Sequence, residues 1–197
     1  AVRHVGFSIH KGETLALVGE SGSGKSVTAL SILQLLSYPA ASHPNGRILF
    51  KGKDLLGAAE PELRKVRGNA IAMIFQEPMT SLSPLHTVGN QVGEALHLHR
   101  EIGKAEGREV TIETLRLVGF PDPPGTYRAY PFELSGGMRQ RVMIALATAL
   151  NPAVLIADEP TTALDVTVQA QILESLRTRQ KERKMGMLLI THDLAVV

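Results

Sequence analysis

The stretch Gly19-Glu20-Ser21-Gly22-Ser23-Gly24-Lys25-Ser26 decides the fold class of this chain. It has the Gly-x-x-x-x-Gly-Lys-Ser spacing of a phosphate-binding loop, in which backbone N–H groups at the start of a helix point at an anion. Its glycines allow backbone conformations that other residues avoid and let the backbone approach a ligand closely. Residues 14–18 before the loop read as a buried strand, and residues 26–36 after it have helical apolar spacing. The sequence therefore predicts a strand, a loop and a helix arranged to bind phosphate.

Two side chains of this loop have distinct expected roles. Lys25 is expected to reach the β- and γ-phosphates of a nucleoside triphosphate, and the Ser26 hydroxyl is expected to ligate Mg²⁺. The residues expected to contact the nucleotide in this part of the chain are Gly19, Glu20, Ser21, Gly22, Ser23, Gly24, Lys25, Ser26 and Thr28.

Composition limits the function classes that remain. The chain has 197 residues, the size of one ordinary domain, and an apolar fraction of 44% that is ample for a core. Only 4% of its residues are aromatic, none is tryptophan and the net charge is +2, so little in the sequence indicates a nucleic-acid surface. The absence of cysteine excludes disulfides and cysteine-bound metal sites from this stretch. We find no apolar run near the roughly 20 residues that span a bilayer, so we expect any membrane role to come through a partner.

Strand and helix patterns alternate along most of the chain, which predicts an α/β fold with a mostly parallel sheet. The chain divides into a core part at 1–77, a helical lobe at 78–134 that the helix from 135 continues, and a second core part at 152–197. Further predicted strands lie at 5–9, 48–50, 71–75, 154–157 and 187–191. Further predicted helices lie at 88–99, 106–118, 137–150 and 166–184, the last with Asp165 as its N-cap.

Four sequence-distant residues each follow a predicted strand directly: Gly19, Gln76, Asp158 and His192. Ligands of open α/β sheets bind in the crevice outside the carboxyl ends of the parallel strands. We therefore expect the topology of the sheet to bring these four positions into one site.

Asp158 and Glu159 form an acidic pair at the end of an apolar strand. Asp158 is placed to hold Mg²⁺, through water, and Glu159 to polarise the attacking water. Alternatively, paired acids at a strand end are simply solvated or cap a helix.

Gln76 and His192 are the remaining polar groups at strand ends. A glutamine can bridge Mg²⁺ and the attacking water without changing its protonation state, and a histidine can hydrogen-bond the γ-phosphate and orient that water. Considered alone, Gln76 could equally be a surface residue, and His192 a core or surface histidine.

A second helix start rich in small residues, Ser135-Gly136-Gly137, is also suited to an anion. One domain with one nucleotide site has no need of two such structures. In a head-to-tail dimer, however, the Ser135 segment of one copy would cap the γ-phosphate held by Lys25 of the other, and this would couple nucleotide binding to association.

Taken together, these motifs resemble the ATP-binding subunit of an ABC transporter over essentially the whole chain. The resemblance makes residues 19–26 the Walker A motif, Gln76 the Q-loop, 134–140 the signature, 154–159 Walker B, 163–165 the D-loop and His192 the switch histidine. It implies ATP and Mg²⁺ as cofactors, and Ser26, Gln76 and Asp158 as the metal ligands. The catalytic residues it implies are Glu159, His192, Gln76 and Lys25. It adds Ser135, Gly136, Gly137 and Gln140, together with Gln76 and Asp158, to the nucleotide-binding set.

Residues 74–82, 134–141 and 157–166 are further similar to the bacterial peptide and nickel import group, and the start of the chain to the first half of tandem ATPases that import microcin C-like peptides. This similarity implies an importer subunit on the cytoplasmic face of the bacterial cell membrane. Its expected partners are a second ABC ATPase domain, integral-membrane permease subunits and, indirectly, a solute-binding protein, with no nucleic acid. The lobe would meet the permease, with Glu77 and residues 82–88 as contact candidates.

The chain also departs from the family pattern at its ends. Family domains begin with an earlier strand that carries an aromatic residue stacked on adenine, and they continue well beyond the switch histidine. We therefore expect this chain to be the core of a longer protein, with weakened nucleotide affinity by itself. The alternative functions are a soluble ABC-type ATPase that acts on nucleic acid or ribosomes, and the ATPase of an exporter. A P-loop GTPase is disfavoured because no Asn-Lys-x-Asp segment is present.

Overall fold

The computed structural model describes residues 2–76, 81–162 and 164–193. Its strands are β1 (Thr14–Val18), β2 (Leu49–Phe50), β3 (Lys53–Asp54), β4 (Ile71–Ile74), β5 (Val154–Asp158) and β6 (Gly186–Thr191). Its α-helices are α1 (Lys25–Ile32), α2 (Glu60–Val66), α3 (Val88–His99), α4 (Lys104–Leu117), α5 (Pro123–Arg128), α6 (Gly136–Thr148) and α7 (Val166–Arg183). A 3-10 turn at Pro131–Glu133 precedes α6.

The main sheet has four parallel strands in the order β1-β6-β5-β4. Val18 pairs with Thr191 and Asp158 with Ile190, so the carboxyl ends of β1, β5 and β6 lie side by side. The strands β2 and β3 form a separate antiparallel hairpin. The predicted α/β fold with a mostly parallel sheet is confirmed.

Apolar clusters cover both faces of this sheet. Alternate residues of β4 and β5 face opposite clusters: Ile74 and Leu155 belong to the cluster formed with α3, α4, α6 and α7, whereas Met73 and Ile156 belong to the cluster formed with α1 and α2. All six residues of β6 are buried, as expected for a central parallel strand whose two faces are covered. These layers hold the strand ends in fixed positions.

The described part of the predicted lobe, 81–134, is helical. Thr87 caps α3 by accepting from the Asn90 N–H at 3.3 Å, and Asp122 caps α5 by accepting from the Gly125 N–H at 2.9 Å. The helices α3, α4 and α5 pack against one another, and α6 packs against α3, α4 and β4. Glu77 and residues 78–80 lie outside the described residues, so the boundary between core and lobe stays a prediction.

The structure corrects several predicted elements. Residues 5–9 form no strand, and Val5 is 55% exposed, because alternating apolar residues need a neighbouring strand to pair with. β1 is an edge strand that is only half-buried, not the fully buried strand that its apolar sequence predicts. The first helix ends at Ile32, before Gln34 at φ 53°, instead of reaching 36. The helix α2 was not predicted; its short length leaves little periodicity to detect.

No helix among the described ranges is both long and apolar enough to cross a membrane.

Candidate active site

The phosphate loop connects β1 to α1. Gly22 and Gly24 have φ of 80° and 92°, in the left-handed region that favours glycine, and Gly24 is the N-cap of α1. The Lys25 side chain, 8% exposed, folds over the loop and donates to the carbonyls of Gly19 at 2.7 Å and Glu20 at 2.8 Å. The loop therefore presents a buried cation and the N-terminus of a helix at the same place.

The helix that follows places two further hydroxyls. Ser26 forms a side-chain hydrogen bond with the Asp158 carboxylate at the end of β5, which joins the phosphate loop to the acidic pair. Thr28, by contrast, donates its hydroxyl hydrogen to the Gly24 carbonyl at 2.9 Å, which stabilises the first turn of α1. Ser21, Gly22 and Ser23 are exposed.

Asp158 is 3% exposed, and its Oδ1 is buried with no hydrogen-bond partner. Burial raises the pKa of this carboxyl, and the nearby Glu159 also raises it, against the lowering effects of Ser26 and Lys25. A buried carboxylate oxygen without a donor is unfavourable unless a cation completes its surroundings. With the Ser26 hydroxyl beside it, this oxygen set fits a hard divalent cation such as Mg²⁺.

The Glu159 carboxylate is the centre of a hydrogen-bonded cluster. Its Oε2 accepts from Gln76 Nε2 at 3.1 Å and from Thr162 Oγ1 at 2.9 Å, and its Oε1 lies 3.2 Å from His192 Nδ1. The Glu159 side chain is 10% exposed, whereas that of His192 is 56% exposed. Gln76, Glu159 and His192 follow β4, β5 and β6, so the parallel sheet brings these three groups together.

Electrostatics keep Glu159 ionised. Burial raises its pKa, but hydrogen bonds from His192 and Thr162 and the charges of His192 and Lys25 outweigh that effect, and the pKa lies below the ordinary value. Its backbone has φ 47° and its N–H donates to the Ile190 carbonyl at 3.0 Å. The pKa values of the two adjacent carboxyls are therefore shifted in opposite directions: burial raises that of Asp158, and hydrogen bonds lower that of Glu159.

Thr162 is a member of this cluster that the sequence analysis missed. It lies three residues after Glu159 in the turn that leaves β5, and its N–H also donates to the Glu159 carbonyl at 3.2 Å. A hydroxyl at this spacing from an acid in a turn is the signal that would have found it.

The signature segment lies at the surface. Ser135 is the N-cap of α6, and its Oγ accepts from the Met138 N–H at 3.3 Å. Ser135 and Gly136 are exposed, and a Cβ at Gly136 would meet no atom within 4 Å, so a second molecule has access to this helix start. A Cβ at Gly137 would lie only 2.7 Å from Val168 Cγ1, so the close packing of α6 against α7 requires a glycine at position 137. Gln140 is 3% exposed and lies inside the helix packing.

The structure brings together Lys25, Ser26, Asp158, Glu159, Gln76 and His192. The signature residues Ser135 and Gly136 lie instead at the exposed start of α6. Ala163 of the D-loop lies outside the described residues. The roles assigned to these side chains stay predictions.

Comparison with known proteins supplies the family. Residues 2–162 match the family model described as ABC transporter. The whole chain is 64% identical to the peptidoglycan transport ATP-binding protein YejF of Agrobacterium fabrum and covers 36% of that protein. It is 54% identical to the oligopeptide transport ATP-binding protein OppD of Bacillus subtilis and covers 55% of it. The chain thus spans from about a third to somewhat more than half of the length of these relatives.

Solved structures agree with the sequence matches. A dimeric structure of MJ0796, a bacterial ABC transporter cassette, superimposes with a TM-score of 0.86 at 30% identity, over 99% of this chain and 81% of that one. A post-hydrolysis dimer of the same cassette, bound to ADP and Pi, has a TM-score of 0.85. The family model, the relatives and the solved structures thus agree, and this chain belongs to the ABC transporter family of ATP-binding domains.

Proposed function

We propose that this chain binds and hydrolyses ATP and thereby powers import of peptides or peptide-like compounds through a separate permease. The observation that carries the proposal is the Glu159 carboxylate, kept ionised at the end of β5 and contacted by Gln76, Thr162 and His192. These contacts hold the mostly buried Glu159 carboxylate in one orientation beside the phosphate loop. This is the arrangement that water-dependent phosphoryl transfer needs.

Each residue of the site has a role that follows from its position. Lys25 and the α1 N-terminus bind the β- and γ-phosphates, with the backbone of 19–24 around them. Ser26, Asp158 and Gln76 would hold Mg²⁺, which would neutralise charge that develops on the phosphates. Glu159 accepts a hydrogen bond from the attacking water and orients it. The oxygen of that water bonds to the γ-phosphorus while a proton of the water passes to Glu159. The bond between the γ-phosphorus and the β–γ bridging oxygen breaks, and ADP leaves with that oxygen.

His192 completes this set from β6. It lies 3.2 Å from Glu159 and more than half of its side chain is exposed, so it has room to turn toward a γ-phosphate while the carboxylate holds one of its ring nitrogens. Gln76 links the same carboxylate to the end of β4.

The signature segment acts on a second domain. Ser135 and Gly136 are exposed at the start of α6, so they are available to a nucleotide on a partner. The relative with a superimposable fold forms a dimer, which supports this association. The partner is a second ABC ATPase domain, identical, homologous or fused in tandem. ATP holds the two domains together, and hydrolysis lets them separate.

The cargo and the partners follow from the relatives. Matches to the oligopeptide transport protein OppD and the dipeptide transport protein DppD of Bacillus subtilis support peptide import. We therefore infer a permease in the bacterial membrane, a solute-binding protein upstream and a location on the cytoplasmic face.

The test uses the full-length protein with its permease in vesicles. Wild-type protein should drive ATP-dependent uptake of labelled di- and oligopeptides, and S135R should still bind ATP in equilibrium dialysis but neither hydrolyse it nor support uptake. Thr178→Arg, at an exposed position of α7 away from the site, serves as the control and should match wild type.

Two results would contradict the proposal. Loss of ATP binding in S135R would mean that the signature helix serves the nucleotide site of its own chain. Uptake of nickel in place of peptides would assign the protein to the other branch of its import group.

A further inference from the structure

A second cavity lies on the side of the protein opposite to the nucleotide site. It has a volume of about 380 Å³ and is formed by α4, the end of α6 and the last turns of α7. Thr148, Ala149 and Asn151 line it just before β5 begins, whereas Glu159 follows the end of β5. A five-residue strand spans roughly 15 Å, so this cavity is separate from the phosphate loop.

The cavity contains an arginine without a partner. Arg179 is 4% exposed, and its Nε and Nη2 are buried without any hydrogen-bond acceptor. Burial lowers the pKa of this guanidinium and the neighbouring Arg183 lowers it further, against the effects of Glu182 and Glu113. Unpaired buried guanidinium groups are rare, because the charged form loses hydration without compensation.

Among the charged neighbours of Arg179, Arg183 repels it, whereas Glu182 and Glu113 attract it without accepting a hydrogen bond from its buried Nε or Nη2. Arg100 donates from Nη2 to the Leu150 carbonyl at 3.2 Å. Glu113 lines the cavity, but its carboxylate pairs with Arg116, which does not line it. Three arginines, Arg100, Arg179 and Arg183, line the cavity with two carboxylates, Glu109 and Glu113, which leaves one positive charge in excess. The lining therefore favours an anion.

We propose that this cavity is a binding site for a small oxyanion, the phosphate or carboxylate group of a small solute, held by Arg179 with Arg183 and Arg100. The Nε and Nη2 groups form one edge of the guanidinium, and two parallel N–H donors on one edge match two oxygens of a phosphate or carboxylate. Because both groups are covered in the structure, the anion enters when α4 and α7 separate slightly. Occupancy then links a lobe helix to a core helix.

The experiment follows the Arg Nε–H signals of the full-length protein by ¹⁵N NMR during titration with inorganic phosphate and, separately, with acetate at constant ionic strength. Phosphate also has access to the phosphate loop, so the titration is repeated in K25A. We expect a saturable shift of the Arg179 signal, identified by its loss in R179K, that persists in K25A. A response to phosphate but not acetate identifies phosphate as the source, and the reverse identifies carboxylates.

Matched variants separate a site from general charge attraction, with the shifts of the Thr148 and Asn151 amides as the readout. R179Q should bind about tenfold more weakly or worse, since it loses charged hydrogen bonds. R177Q, at an exposed position of the same helix, should bind as wild type does. E113Q should bind more tightly, because it removes a negative charge from the lining.

Three outcomes would overturn the proposal. Binding lost in K25A but kept in R179Q would place the anion at the phosphate loop alone. A linear, unsaturable shift that is equal in R177Q and R179Q would indicate screening of surface charge. Lower thermal stability in both E113Q and R179M, without any anion, would show that Glu113 is the partner of Arg179. The proposal instead expects R179M to unfold at a higher temperature than wild type, since it removes an uncompensated buried charge.

Discussion

Replacing Glu159 by glutamine should separate hydrolysis from folding. In the structure Oε2 accepts from Gln76 and Thr162, and Oε1 faces His192 Nδ1 at 3.2 Å. A glutamine that places its amide oxygen at the Oε2 position keeps both donors, and its NH₂ group donates to Nδ1 of a neutral His192. Since the three contacts survive, we expect the free energy of unfolding to change by less than about 1 kcal/mol.

The effect on turnover should be far larger. The pKa of Glu159 lies below the ordinary value, so wild type has an ionised carboxylate at neutral pH, and the amide that replaces it accepts no proton. Loss of a positioned base lowers rates by about 10²–10⁴-fold. ATP binding relies on the phosphate loop and should persist, so ATP-bound dimers should accumulate.

The assay is phosphate release at saturating ATP and Mg²⁺, with thermal unfolding and size-exclusion chromatography on the same samples. Glu174→Gln, at an exposed position of α7, is the matched control and should keep wild-type turnover. Turnover of E159Q within a few-fold of wild type would remove Glu159 from its assigned role. A fall in unfolding temperature of E159Q alone would show that the cluster needs the carboxylate for stability.

Two other substitutions test the loop and the buried acid, and a third, Gly93→Ala, is the control for the loop variant. Gly24→Ala should destabilise the protein by about 1–2 kcal/mol and weaken ATP binding, because Gly24 has φ 92° and the new Cβ would lie 2.8 Å from Val2 Cγ2. Gly93→Ala inside α3, with open space and ordinary φ, should instead stabilise it by about 0.5–1 kcal/mol in the same unfolding assay. D158N should raise the free energy of unfolding on the order of 1 kcal/mol in Mg²⁺-free, nucleotide-free buffer, since it removes a buried charge with an unpaired Oδ1, while Mg²⁺-dependent ATP binding falls. Burial raises the pKa of Asp158, so on acidification this carboxyl is protonated in the folded protein at a higher pH than in the unfolded chain. The stability gained by D158N over wild type should therefore shrink as pH falls through the raised pKa. A gain in stability that grows on acidification would contradict the assignment.

Local sequence was sufficient for the elements that bind phosphate. The run from Thr14 to Val18 and the loop at 19–26 specify a strand, a turn and a helix because apolar spacing, glycine and Lys-Ser act within a few residues of one another. The same local rules gave α3 with its observed bounds, and Asp165 as the N-cap of α7. The position of each polar residue after a strand then implied one shared site, since parallel strands end at one edge.

Only the tertiary structure decided which groups touch. Inserting β6 between β1 and β5 is a long-range pairing, and it brings His192 to Glu159, 33 positions earlier in the chain. The same packing leaves 5–9 without a strand partner, buries Gln140 and exposes Ser135. Arg179 is one of several cations near the C-terminus of α7, and only the tertiary structure shows that it is buried, with its Nε and Nη2 unpaired. Local patterns fix the periodicity of burial along one element, whereas neighbours, and therefore charges and hydrogen bonds, depend on which elements pack together.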